Sequence, residues 1–298
     1  MTSTILAESR MHLEQLIKKE IETNGSQCDL NHIDVSQIKY MGRLFEDSEF
    51  NGSIDRWDVS NVENMDSMFN NSKFNGVLSK WNTSKVKSMA YMFYQSFFQG
   101  DISRWNVSKV ENFEGTFCSS TFDSDISLWD VLSATSMREM FYRSSFNNVI
   151  SAWDTARVQN MEQMFAHSSF NGDVSKWNVL NVRDFFMMFY DSNFNGDLSL
   201  WRPAKDADVG DFISNRNFRY LEKINFYHWY HALSSSSDSI TLFADLENVF
   251  KRTFKEFVPI IRGLGLEGVE AAKAMQQLWL TKNEIIINPL SIEMYDFR

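Results

Sequence analysis

Few residues in this chain have the types and spacing that chemistry requires. His228 and His231 lie three residues apart in a stretch that predicts a helix, so both rings could contact one metal ion. No carboxylate or cysteine with ligand spacing accompanies them, which favours a packing role for the two rings. An enzyme hidden in residues 219–298 would have only these histidines and Glu222 as candidates.

The other reactive groups match no active-site motif. Cys118 stands at a position expected to be exposed on a helix, without a histidine to activate its thiol. Gly263-Leu-Gly265 is too short for a phosphate-binding loop, and the serine-rich stretch at 234–239 lacks the nucleophile elbow of the hydrolases. We therefore predict no catalytic residue, no metal and no cofactor.

The composition excludes further functional classes. The chain has 298 residues and a formal net charge of −10, which argues against direct nucleic-acid binding because that requires a basic surface. Two cysteines are too few for a disulfide scaffold, and the absence of a long apolar run predicts no transmembrane helix. The first residues lack the basic and apolar regions of a signal peptide, so we expect a cytoplasmic protein.

Internal repetition explains the unusual content of 26 Phe, 15 Met and 9 Trp. Seven tryptophans follow one another at steps of 24 residues, namely Trp57, Trp81, Trp105, Trp129, Trp153, Trp177 and Trp201. With each Trp as position 0, every complete unit has Phe at positions 12 and 17 and Ser at position 15. The phase extends back to Ile33, so seven repeats span 33–200 and a degraded eighth runs from Trp201 to about Phe218.

Each repeat has two halves that predict different elements. Trp105 and Val107 alternate with polar residues, which predicts a short strand with these two side chains inward, whereas the apolar spacing from Val62 to Phe69 predicts a short helix. Phe74-Asn75-Gly76 closes the unit with a turn in which Asn and Gly tolerate positive φ. One unit cannot bury its apolar face alone, so we expect stacking in register, with Trp over Trp, Phe over Phe and buried serines bonded to the backbone.

The repeat sequence resembles that of a known family. The segments Asp101-Ile-Ser-Arg-Trp-Asn-Val-Ser-Lys-Val110 and Phe170-Asn-Gly-Asp-Val-Ser-Lys-Trp-Asn-Val179 are similar to those of the BspA-type leucine-rich-repeat-like family. The resemblance covers roughly 33–218 and implies an α/β fold, a curved solenoid with parallel strands on the concave side and short helices on the convex side. Members of that family are often bacterial surface proteins that bind host proteins, and similar repeats occur in viral and mobile-element genomes. The chain departs from the surface members because it shows no export signal and no lipid-attachment cysteine.

The flanking segments predict helices. Leu13, Leu16, Ile17 and Ile21 form an apolar stripe that ends before Asn24-Gly25, so residues 1–32 are expected to form a helical cap on the first repeat.

Residues 219–298 lose the 24-residue phase and predict a mainly helical C-terminal module. Phe186 and Met187 replace residues that are usually polar at positions 9 and 10, which predicts that this module, or a partner protein, covers the last complete repeat.

The positions beside each Trp are the best candidates for binding, because they point away from the predicted core and vary. They are polar and basic in the first repeats and become apolar in the later ones. The predicted concave protein-binding residues are Arg56, Asp58, Lys80, Asn82, Lys85, Arg104, Asn106, Lys109, Leu128, Asp130, Leu132, Asp154, Lys176, Asn178, Leu180 and Leu200. The Asp/Asn column at position +1 has a second explanation, since side chains that stack along an array can serve stability alone.

These observations favour a non-enzymatic protein that binds another protein through its concave face and its C-terminal module. An intracellular inhibitor or regulator fits, including one encoded by a phage or mobile element that blocks a host system. The alternatives are a surface or virion adhesin of BspA type and an enzyme in residues 219–298. Mimicry of DNA is not favoured, because the negative charge of the array is too dilute.

Overall fold

The structure is a computed structural model that describes residues 4–198, 200–204, 207–210 and 212. The predicted C-terminal module at 219–298 therefore lies outside the described residues, as do its candidates Glu222, His228 and His231. Within the described part, regular elements occur only near the N-terminus: strand β1 at Ile5–Leu6, helix α1 at Arg10–Asn24 and strand β2 at Ile33–Asp34.

The N-terminal helix forms where its apolar stripe predicts it. Ser9 precedes α1, and its side chain accepts a hydrogen bond from the His12 N–H at 3.1 Å, which satisfies one free donor of the first turn. Gly25 ends the helix at a φ of 82°, a conformation that favours glycine. Leu13 and Ile17 are buried in the same hydrophobic cluster as the repeats.

Parallel pairing joins the N-terminal segment to the first repeat and each repeat to the next. Strand β1 pairs with β2, with Ile5 opposite Ile33. Further along the chain, parallel backbone bridges link Tyr40 to Asn64 and continue at 24-residue steps as far as Asp208. The repeats therefore stack in register, and the degraded eighth repeat continues the stack at least to Phe212, which accepts a backbone hydrogen bond from Phe189 at 3.0 Å.

The helix predicted for 62–69 is wrong, because this part of each repeat is a series of turns that pairs with its neighbour. Every second N–H from 65 to 71 donates to a carbonyl oxygen 23 residues ahead at 2.7–3.0 Å. Between them, the N–H groups of Met68 and Asn70 donate to the carbonyl three residues back, and that of Asp66 donates to the Asn64 side chain. Ser67 and Asn71 have positive φ angles of 55° and 50°. The same positive φ recurs along the array at positions 10 and 14.

A physical limit on thickness explains why a helix does not form there. Parallel chains paired by hydrogen bonds advance by about 4.8 Å per repeat. An α-helix with its side chains is about 10 Å across, so one helix per repeat cannot fit where this half of the repeat also pairs directly with its neighbour. The apolar spacing at i, i+3 and i+7 reflects turns of similar period, whose buried side chains include Val62, Met65 and Phe69.

The strand predicted around Trp105 does not form, and turns flank residues 105–107 on both sides. The N–H of Trp105 donates to the Ile102 carbonyl at 3.1 Å, and that of Val110 donates to Val107 at 2.9 Å. The predicted orientation is nevertheless confirmed, because Trp105 and Val107 are buried while Arg104 beside them is exposed.

The core consists of aromatic columns, as predicted. Neighbouring Phe rings at position 12 lie 5.5–5.7 Å apart between centroids and are nearly parallel. The Phe rings at position 17 lie 6.0–6.4 Å apart, and several Trp pairs lie 6.2–6.5 Å apart. Each offset-stacked pair adds about 0.5–1.5 kcal/mol beyond the burial of its apolar area.

Two polar columns complete this core. The buried serine hydroxyl at position 15 accepts a hydrogen bond from the N–H two residues later at 3.1–3.3 Å in six repeats, which confirms its predicted role. Each of the seven indole N–H groups donates to a carbonyl 27 residues earlier at 3.0–3.2 Å. Tryptophan at position 0 thus supplies both a large ring and a donor that phenylalanine lacks.

The expected positive φ at Asn75-Gly76 is not found. Glycine is needed there for space instead, because a Cβ on Gly76 would lie 2.7 Å from the Phe74 ring. At the equivalent Gly52 the conflict is with backbone, since a Cβ would lie 1.9 Å from the Cys28 carbonyl oxygen.

Candidate protein-binding surface

The structure leaves the predicted outward residues exposed, in columns that follow the stacking of the repeats. We define the strip as positions −1 and +3 of successive repeats, one residue before each Trp and three residues after it. At position −1 it consists of Arg56, Lys80, Arg104, Leu128, Ala152, Lys176 and Leu200, all exposed. At position +3 it consists of Ser60, Ser84, Ser108, Leu132, Ala156 and Leu180, which are half-buried or exposed.

The Asp/Asn column at position +1 has a local structural role. Its side-chain oxygens accept a hydrogen bond from the N–H two residues later at 3.0–3.2 Å, forming a turn within each repeat. The column comprises Asp58, Asn82, Asn106, Asp130, Asp154 and Asn178, all exposed. Their oxygens therefore bond within a repeat, in contrast to the predicted stacking between repeats.

Asn side chains do link neighbouring repeats at position 18, by accepting a backbone N–H of the next repeat, and the sequence did not predict this contact. The Asn51 side chain accepts the N–H of Asn75 at 2.8 Å, and the Asn147 side chain accepts that of Asn171 at 2.7 Å. The signal in the sequence was the recurring Asn of the Asn-Gly pairs, which predicted a turn and not a contact between repeats.

The basic side chains of the first repeats are partly paired. Arg56 lies 3.6 Å from the Asp29 carboxylate, and Lys85 donates to the Asn61 side chain at 2.6 Å. The pKa of Asp58 lies below its usual value because the Ser60 hydroxyl and N–H donate to it, with a smaller effect from the charge of Lys85.

Three other cations on this side lack such partners. Lys80, Arg104 and Lys109 are exposed, and none has a carboxylate oxygen within 4.0 Å among the residues that the structure describes. They are thus available to a negatively charged ligand.

The later repeats replace these cations by exposed leucines. The exposed fractions are 80% for Leu128, 45% for Leu132, 58% for Leu180 and 60% for Leu200. Exposed leucines occur singly on most proteins, but these four lie at positions −1 and +3 of three repeats within a run of four. The repeat between them has alanine at both positions, and Lys176 is the one charged residue in these columns, so we call this surface the apolar patch.

Phe186 and Met187, predicted to dock the C-terminal module, are half-buried. The eighth repeat provides part of this cover, since the Phe186 ring lies against the backbone of Gly210, where an added Cβ would be 3.0 Å away. Met187 donates its backbone N–H to the Gly210 carbonyl at 2.8 Å. Docking of the module itself remains a prediction.

A half-buried charged row, which the sequence did not reveal, crosses four repeats at positions 9 and 10. Arg138 donates to Glu114 and to Glu162 at 2.8 Å each, and the Tyr91 hydroxyl donates to Glu114 at 2.7 Å. The hydrogen bond to Glu162 is the main cause that raises the pKa of Arg138, while burial raises the pKa of Glu139. These groups satisfy one another, so the row links repeats.

The described residues outside the strip offer little for chemistry. Cys118 is buried and not exposed as expected, and burial raises the pKa of its thiol to about 11. No group of three or more potential metal ligands occurs in the described ranges. The same part of the chain contains no helix that is long and apolar enough to span a membrane.

Comparison with known proteins identifies a repeat family. The family model described as "Mycoplasma protein of unknown function, DUF285" matches residues 12–122 and 117–223, two segments in tandem that cover more than half of the chain. Neither the curated proteins nor the solved structures give a match.

Proposed function

Because this chain belongs to the DUF285 family of repeat proteins, we propose that it is a non-enzymatic solenoid of the BspA-type leucine-rich-repeat-like kind. It binds another protein through the outward strip, on its concave face, and acts as an inhibitor or regulator of that partner. The C-terminal module at 219–298 contributes to the same interaction.

One observation carries this proposal: the strip varies while its surroundings do not. In the six repeats that begin at Trp57 to Trp177, position 0 is Trp and position +1 is Asp or Asn, because the core and the local turn require them. Position −1 makes no such hydrogen bond through its side chain. At position +3 the hydroxyls of Ser60 and Ser108 donate to the Asp or Asn of their own repeat, and both positions change from cations and serines to mainly leucine and alanine along the array. Residues free of a structural role that nevertheless form continuous patches are expected at a binding surface.

The energetics of the patch are consistent with binding. Complete burial of a leucine side chain contributes about 1.5–3 kcal/mol, so Leu128, Leu132, Leu180 and Leu200 provide enough apolar area for an interface centre. The cations beside them provide a charged rim, which governs specificity and association rate more than affinity.

Affinity capture from a lysate of the native cell, with quantitative identification of the captured proteins, tests this function. Leu132→Asp/Leu180→Asp is expected to lose the wild-type partner at least tenfold, because a carboxylate would be desolvated in the interface. Val77→Asp/Val149→Asp is the matched control, since both valines are similarly exposed but lie outside the strip. Capture of the same proteins in equal amounts by both variants would contradict the proposal.

A further inference from the structure

Two neighbouring repeats form a basic patch along the early part of the outward strip. The segments Lys80-Trp-Asn-Thr-Ser-Lys85 and Arg104-Trp-Asn-Val-Ser-Lys109 each have a cation at position −1, asparagine at +1 and lysine at +4. No other complete repeat combines these three residue types. The basic patch consists of Lys80, Asn82, Lys85, Arg104, Asn106 and Lys109, all exposed.

The two repeats are in direct contact beneath this patch. The Trp81 and Trp105 rings stack at 6.2 Å between centroids. The Thr83 hydroxyl donates to the Asn106 carbonyl at 2.9 Å, which joins the two repeats at the centre of the patch. Cations at the same position of the two repeats therefore lie side by side.

The cations at position −1 lack the carboxylate that pairs with the preceding one. Arg56 lies 3.6 Å from Asp29, which precedes it by 27 residues. The residues 27 positions before Lys80 and Arg104 are Ser53 and Val77. Neither of these two cations has a carboxylate oxygen within 4.0 Å in the described ranges, so both charges are open to a ligand.

The lysines at position +4 show the same loss of a partner. Lys85 donates to the side chain of Asn61, its equivalent in the preceding repeat, at 2.6 Å. For Lys109 the equivalent residue is Lys85 itself, whose ammonium group cannot accept a hydrogen bond. Lys109 therefore adds a second positive charge beside the first, and no carboxylate oxygen of the described residues lies within 4.0 Å of it.

Asparagine at position +1 keeps the centre of the patch free of negative charge. Along this column the residues are Asp58, Asn82, Asn106 and Asp130. The two asparagine oxygens accept the N–H two residues later at 3.2 and 3.1 Å, so their amide NH2 groups are available as donors. Aspartate forms the same turn in the repeats on either side, at Asp58 and Asp130. The turn therefore does not explain the two asparagines, whereas binding of an anionic ligand does.

The acids around the patch determine the class of this ligand. Exposed carboxylates border the patch on several sides, namely those of Asp58, Asp101, Glu111 and Asp130. Duplex nucleic acid carries about one charge per 1.7 Å, so it would extend over these carboxylates and be repelled. Four residues of an extended peptide span at most about 14 Å, so a short acidic segment can place its carboxylates over the patch alone.

We propose that the basic patch binds a short acidic segment of the partner protein. Carboxylates of this segment accept hydrogen bonds from Lys80, Arg104 and Lys109 and from the amide groups of Asn82 and Asn106, because charged donors pair best with charged acceptors. The inference rests on the proposed function and names the chemistry that the partner presents to the early repeats. Such exposed charge pairs determine specificity and association rate more than affinity.

The test uses the full chain and a rhodamine-labelled peptide, Gly-Ser-Asp-Glu-Asp-Glu-Ser-Gly, with binding measured by fluorescence anisotropy at low ionic strength, where charges are least screened. Lys80→Glu/Lys109→Glu is expected to weaken binding at least tenfold. Lys18→Glu/Lys73→Glu is the matched control, because it changes the net charge equally at two exposed lysines outside the patch, and it is expected to change binding less than threefold. The peptide with Asn and Gln in place of Asp and Glu is expected not to bind.

Several results would overturn the inference. They are no binding of the acidic peptide by the wild type, equal weakening by the patch and control variants, or tighter binding of a 12-base-pair DNA duplex than of the peptide. All four substituted lysines are exposed, so the melting temperatures are expected to stay unchanged. Lys80→Gln/Lys109→Gln, which removes the two charges without reversing them, is expected to weaken binding in the same direction and keeps the test decisive if the glutamate variant does not fold.

Capture from lysate separates this inference from the function on which it rests. If Leu132→Asp/Leu180→Asp loses the partner while Lys80→Glu/Lys109→Glu captures it in the wild-type amount, the function stands and the present inference fails. If the acidic peptide binds as expected but the leucine substitutions leave capture unchanged, the inference stands and the proposed function fails.

Discussion

Replacing Trp129 by phenylalanine tests whether the indole donors stabilise the stack. The Trp129 N–H donates to the Ile102 carbonyl of the preceding repeat at 3.1 Å, and both residues are buried. Phenylalanine keeps a ring beside Trp153 but removes the donor and leaves a small cavity. The Ile102 carbonyl keeps the hydrogen bond from the Trp105 N–H, so loss of its second hydrogen bond costs about 0.5–1.5 kcal/mol, and a cavity of this size adds about 1 kcal/mol. We expect Trp129→Phe to lower the free energy of unfolding by about 1.5–2.5 kcal/mol.

The assay is urea denaturation followed by circular dichroism, which does not depend on the tryptophan that is changed. Leu128→Ala is the control. Leu128 is exposed, so its substitution is expected to change the free energy of unfolding by about 0.5 kcal/mol or less. Incorporation of benzothienylalanine at position 129 separates the two contributions, since it keeps the bicyclic shape and lacks the N–H. A benzothienylalanine protein as stable as the wild type would refute the role assigned to the indole hydrogen bond.

Three further changes follow from single contacts. Gly52→Ala is expected to destabilise the fold by more than about 1 kcal/mol in the same denaturation assay, because the new Cβ would lie 1.9 Å from the Cys28 carbonyl oxygen. A variant as stable as the wild type would contradict this close approach of Gly52 to the Cys28 backbone. Asp184→Asn is expected to raise the free energy of unfolding at pH 7. Burial raises the pKa of Asp184, so the folded chain holds the proton more tightly than the unfolded chain. Stability therefore falls as the pH rises from the pKa of the unfolded chain through that of the folded chain. This gain in the free energy of unfolding should vanish at a pH below the ordinary pKa of an aspartate carboxyl. Asn160→Asp, at the equivalent position of the preceding repeat, should lower the free energy of unfolding at pH 7. The Cys118 thiol, with a pKa raised to about 11 by burial, is expected to react with iodoacetamide at pH 8 only after unfolding, and rapid alkylation of the folded chain would show that it is accessible.

Much of the core could be predicted because the repeat fixes which residues meet. A 24-residue phase without insertions places Phe69 beside Phe93 and Phe93 beside Phe117 whatever the backbone does between them, provided that the repeats stack. The buried serines followed from the same logic, since a polar residue repeated inside a core needs a backbone partner. The N-terminal helix was predictable from a local apolar stripe with a terminating glycine.

The local conformation was predicted less well, because spacing alone does not distinguish a helix from a turn of similar period. The pattern from Val62 to Phe69 satisfies a helix, but hydrogen bonds to the next repeat compete with those inside a helix and prevail here. The positive φ of Ser67 was not signalled by its residue type, because serine does not favour that conformation.

The sequence by itself determined the repeat, the stacking partners in the core and the two exposed columns whose composition changes along the array. These properties depend on periodicity, which is written in the order of residues. Only the tertiary structure decided that position +1 serves a turn within each repeat, that position 18 links repeats and that Cys118 is buried. The contact at position 18 and the burial of Cys118 depend on how far apart the backbones of neighbouring repeats lie, and that distance is set by the packing of whole repeats and not by any local spacing.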